Sequence, residues 1–86
     1  MDIEQLVRWL VKNDINFEIS QSVRAKDVSS SIVTVELIIN DDEMLRFVYS
    51  IHMELLHIDY EYHEEIATYG NFIDLPIISI LSRRTR

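Results

Sequence analysis

Cysteine is absent from this 86-residue chain, and glycine and proline occur once each, at Gly70 and Pro76. Without cysteine there is no disulfide framework and no thiolate chemistry, which fits a reducing compartment. A single glycine excludes the glycine-rich loops that cradle phosphate through backbone N–H groups. The serines cluster around the 20–31 stretch with no glycine elbow beside them, so no nucleophile is placed for a triad. No apolar run approaches the roughly 18 residues of a membrane-spanning helix. The opening MDIEQLVRWLVKND carries acids among its apolar residues, unlike a signal or transit peptide. These absences lead us to expect a soluble cytoplasmic domain.

Bases are scarce as well. Fifteen acids face eight Lys and Arg, a net charge of −7, and three of the eight, Arg83, Arg84 and Arg86, lie in the last four residues. Residues 1–82 therefore hold 15 acids and 5 bases, a net −10. Such a body repels phosphate backbones and attracts basic surfaces. Charge of this size also serves solubility alone. Arg24, Lys26 and the SRRTR tail are too few for a nucleic-acid site, and 83–86 reads as a frayed end.

What the chain does have is aliphatic weight. Hydrophobic residues make up 48%, with thirteen isoleucines, enough for one small folded domain over 1–86. Ile3, Leu6, Val7, Leu10 and Val11 recur at helical spacing, predicting a helix over 1–13, with Trp9 at the core edge. Ile15, Phe17 and Ile19 alternate as a half-buried strand. Val33, Val35, Leu37 and Ile39 line one face of a second strand over 31–39, whose other face, Ile32, Thr34, Glu36 and Ile38, is half apolar, as in a central strand. The serine-rich 21–30 stretch joins the two as a wide hairpin loop. A last strand is expected around Ile77–Leu81, after Pro76.

Two templates compete over 40–70. As a strand, Leu45, Phe47, Tyr49, Ile51 and Met53 alternate with polar residues after a turn at Asn40–Glu43. As a helix, Met44, Phe47, Val48, Ile51, Leu55, Ile58 and Tyr62 form one stripe. Asn40 and Glu43 fit a capping box, Gly70 fits a C-terminal cap, and the strand phase breaks at Leu55–Leu56. These boundaries favour a long or broken helix. The expected architecture is then α+β, about three antiparallel strands against two helices.

The segment HIDYEYHEE, 57–65, concentrates two of the three histidines with four carboxylates. On a strand, His57, Asp59, Glu61 and His63 share a face and offer nitrogen and oxygen ligands to a metal such as zinc. On a helix, His57 pairs with Glu61 and Asp59 with His63 on different sides of the cylinder, which weakens that reading. No His-Glu-x-x-His pattern supports it, and the expectation is no cofactor. Asp41, Asp42, Glu43, Glu54, Asp59, Glu61, Glu64 and Glu65 meet a single base, Arg46, between 40 and 65. Carboxylates so displayed can imitate phosphates and fill a basic groove, with Tyr60 and Tyr62 as interface anchors, or can form a solvated face. Nothing here marks an enzyme.

Met1, Ile3, Leu6, Val7, Arg8, Asp14 and Ser20, with the later SIVTVELIIND, resemble in order the opening of small acidic phage anti-CRISPR proteins that block an RNA-guided DNA endonuclease. The likeness covers about a quarter of the chain and rests on generic helix and strand residues. That family's glycine-containing hairpin turn is replaced here by Asp41-Asp42-Glu43, so no inhibitory residue carries over. The resemblance implies a DNA-mimicking viral inhibitor, working in the host cytoplasm on a nuclease's nucleic-acid-binding surface. Two other classes stay open: an immunity or antitoxin-like protein that neutralises a toxin, and a metal-stabilised module or structural dimer. In each the partner is a protein rather than a membrane or nucleic acid.

Overall fold

The computed structural model describes residues 2–22 and 31–84. Helix α1 (Ile3–Lys12) begins at Asp2, whose carboxylate accepts the Gln5 N–H (2.8 Å) while the Gln5 side chain accepts the Asp2 N–H (3.0 Å). This reciprocal cap satisfies two donors that the helix start leaves open. Leu6 and Leu10 are fully buried. The helix ends in a glycine-free Schellman turn. Asp14 adopts the left-handed conformation (φ 55°), its N–H reaches the Val11 carbonyl, and the Ile15 N–H reaches the Leu10 carbonyl. Ile15 is thus the apolar plug of the helix cap, and the strand expected from Ile15 starts later, at Glu18. Asp2→Ala is expected to lose about 1 kcal/mol, read as a melting temperature roughly 4–8 °C lower by circular dichroism.

Five strands follow: β1 (Glu18–Ser22), β2 (Ile32–Asn40), β3 (Glu43–Ser50), β4 (Leu55–Tyr62) and β5 (Glu65–Tyr69). They form one antiparallel sheet in chain order. A short helix, α2 (Ile77–Leu81), closes the chain. Period two assigns the faces. Val35, Leu37, Ile39, Leu45, Phe47, Tyr49 and Ile58 point to one side and are buried with Leu6, Leu10, Leu75, Ile80 and Leu81. Glu36, Ile38, Met44, Arg46, Val48, His57, Asp59 and Glu61 lie on the other. Both helices pack on the first side, and Phe47 stacks on Phe72 (5.5 Å between centroids).

The α+β class holds, with five strands rather than three and with small helices. The helix expected over 40–70 is instead β3, β4 and β5. Two local devices produced the misleading boundaries. Asn40 caps no helix; its side-chain oxygen accepts the Asp42 N–H (2.9 Å) in an Asx turn, a competing use of the same residue. The phase break at Leu55–Leu56 is a bulge: Val48 faces His57 and Tyr49 faces Leu55, leaving Leu56 as the extra residue. The strand expected at Ile77–Leu81 is α2. Its apolar residues bury at helical intervals, with Ile77, Ile80 and Leu81 inward and Ile78 out, and the Pro76 carbonyl accepts the Ile80 N–H. Proline lacks an N–H but fits a helix start, where none is needed. The loop core 23–30, with Arg24 and Lys26, lies outside the described residues. Among the described residues no helix is long and apolar enough to cross a membrane.

Candidate functional site

A meander places alternate turns at the same end of its sheet. The β2–β3 turn, Asp41–Asp42, and the β4–β5 turn, His63–Glu64, are therefore neighbours. The His63 N–H donates to the Asp42 carbonyl (3.0 Å), and the His63 Nδ1 lies 3.8 Å from the Asp42 carboxylate. Between the turns is an open hollow of about 370 Å³, lined among others by Asp41, Asp42, Glu61, His63 and Glu64. Glu65 follows at the start of β5. Five of the eight carboxylates singled out in the sequence thus share one end of the sheet, and four of them are exposed. Among the described residues, the imidazole of His63 is the one basic side chain lining the hollow.

This end is held in a costly conformation. His63 (φ 49°) and Glu64 (φ 68°) both occupy the left-handed region. A two-residue hairpin of this kind favours Asn-Gly, and each larger residue there costs on the order of 1 kcal/mol.

Glu43, at the first residue of β3, also lines the hollow but is buried rather than displayed. Its side chain is 2% exposed and lies beneath Arg83, which grips it through two parallel bonds of 2.8 Å, from Nε and from Nη2. The Asn40 amide donates to the same carboxylate (2.9 Å), as does the Tyr60 hydroxyl. Arg83 also reaches the Tyr60 oxygen (3.1 Å) and the Ser79 carbonyl of α2 (3.2 Å). The guanidinium holds the Glu43 carboxyl down at about 2, against the opposing pull of burial. Burial, then Glu43, pushes the Tyr60 hydroxyl up. Arg83, expected in a frayed tail, is a clasp; Thr85 and Arg86 lie outside the described residues.

The remaining candidates scatter. Glu54 sits in the turn at the opposite end of the sheet, with its N–H on the Ser50 hydroxyl (3.3 Å). Asp59 is on the second face, accepting from Thr68 (2.9 Å) and 3.5 Å from His57. Tyr60 is committed to Glu43, whereas Tyr62 is exposed and meets the His63 ring edge-on. His57 and His63 stand at the middle and the end of the hairpin, six residues or roughly 20 Å apart along a strand, too far to ligate one ion. Among the described residues no three metal-binding side chains converge.

Reading the sequence missed Arg83, because nothing local marks a partner 40 residues away. It also missed the pairing of the two acidic turns, which follows only once β3 and β4 are seen as strands. No family model matches the chain, and comparison with curated proteins and with solved structures gives no match.

Proposed function

We propose that this chain is a non-catalytic acidic binding protein, which sets the Asp41–Asp42 and His63–Glu64 end of its sheet on a basic surface of a nucleic-acid enzyme. The observation that carries the reading is the gathering of Asp41, Asp42, Glu61, Glu64 and Glu65 at one end of the sheet. Three of the described cations are spent elsewhere: Arg8 on Glu4, Arg46 on Glu36 and Arg83 on Glu43. The negative end is therefore left to act on a partner. Exposed Tyr62 beside it supplies an aromatic contact for an arginine. The N-terminal resemblance to phage anti-CRISPR proteins supports the same class of target, a nuclease whose nucleic-acid groove the carboxylates occupy. The work is electrostatic: steering on approach, then competition with phosphate for the same arginines and lysines.

The test is capture of nuclease from extracts across a salt series. Binding is expected to fall steeply between low salt and 0.5 M, as the screening length shrinks. Neutralising Asp41, Asp42, Glu64 and Glu65 together to Asn and Gln is expected to weaken binding about 100-fold or more, while Glu54→Gln at the opposite end leaves it unchanged. Salt-insensitive capture, or equal loss with Glu54→Gln, refutes the reading.

A further inference from the structure

The helix layer carries a second surface, remote in character from the acidic end. Between α1 and α2 lies an apolar hollow of about 270 Å³, lined by Leu6, Trp9, Phe72, Ile77 and Ile78. Next in the chain to Phe72 of its lining comes Ile73, 91% exposed and the most exposed large aliphatic among the described residues. Ile78, on the rim, is 71% exposed. A knob adjacent to a hole on one face is self-complementary, because a two-fold axis between them seats each copy's knob in the other's hole. Charge follows the same line. Asp74 flanks the knob, whereas Arg84 lines a second hollow on the far side of Trp9 and Ile78. Neither side chain has an ion-pair partner among the described residues.

We infer that this face joins two copies of the chain: Ile73 of each enters the Leu6–Trp9–Phe72–Ile78 hollow of the other, and Asp74 meets the opposing Arg84. Trp9, the one tryptophan, lines both hollows and supplies the contact with an aromatic anchor of the kind that dominates binding energy.

Sedimentation equilibrium of the full chain from about 5 to 500 µM tests this inference without the unknown target. The expected result is a reversible monomer–dimer equilibrium. Ile73→Asp, at a position too exposed to disturb the fold, should weaken it at least tenfold. Asp74→Arg and Arg84→Asp should each weaken it, and the double exchange should restore it. A monomer throughout the range overturns the inference. So does a dimer indifferent to Ile73→Asp. A dimer lost with Thr68→Pro but kept with Ile73→Asp also overturns it, assigning the contact to the β5 edge.

Discussion

Phe47→Ala is expected to destabilise the fold by about 3–5 kcal/mol. Phe47 is fully buried on β3, the middle strand, opposite Val35 and Ile58 in the ladder and stacked on Phe72. Truncation loses the transfer energy of the ring and opens a hole beneath both helices. It also frees Phe72, whose other contacts belong to the hollow between α1 and α2. A domain of 86 residues has on the order of 4–13 kcal/mol in all. The loss is therefore a large share of the whole, from about a quarter to all of it. Urea titration measures the effect, with Ile38→Ala as the comparison. Ile38 is 65% exposed on the second face, and its loss should change stability by no more than about 0.5 kcal/mol.

Removing Arg83 should produce the second large effect. Arg83→Leu leaves the Glu43 carboxylate enclosed without its cation, and breaking such a pair from one side is far more damaging than never having it. A fall in melting temperature of more than about 10 °C is expected at pH 7. Glu43→Leu should be milder. The freed guanidinium, 44% exposed, can turn to water, and an apolar side chain suits the site. The pH dependence has a definite sign. Glu43 titrates at about 2 in the folded chain against an ordinary 4.5. Its lowered value adds stability that is complete above about pH 4.5 and lost as the pH falls toward 2. The gap in melting temperature between the native chain and Arg83→Leu should therefore be widest near neutral pH and close as the pH falls toward 2. Comparing the two chains at each pH cancels the general relief of repulsion as the other carboxylates protonate.

Periodicity made some parts of this molecule legible and left others dark. The stripe Ile3, Leu6 and Leu10 locates α1, and the alternation from Val33 to Ile39 gives β2 with its faces correctly assigned. The failures have one physical root: apolar residues report burial, not the geometry that achieves it. Over 44–62 the sheet buries Phe47 and Ile58 and half-buries Leu55, positions that a helical stripe also connects. The bulge at Leu56 removes the alternation that would have decided between the two. In α2 the sequence did hold the answer, since Ile77, Ile80 and Leu81 follow helical intervals, but proline and β-branched composition outweighed spacing. For the surface, the sequence identified the acids and not their grouping. Glu43 and Asp42 are chain neighbours with opposite fates, one opening β3 under Arg83 and one in the exposed turn before it. That contrast depends on the register, which only the paired strands fix.

The order of the sheet also bears on how the chain reaches its native state. Each strand lies beside its neighbours in sequence, and two of the connections are two-residue turns, so little loop entropy is lost in zipping β2 through β5 together. Such short-range assembly places this domain among the quicker of the sheet-rich folders. The clasp from Arg83 to Glu43 spans 40 residues and can shut only after β3 and α2 are both in place, so it acts as a final lock on a structure already assembled.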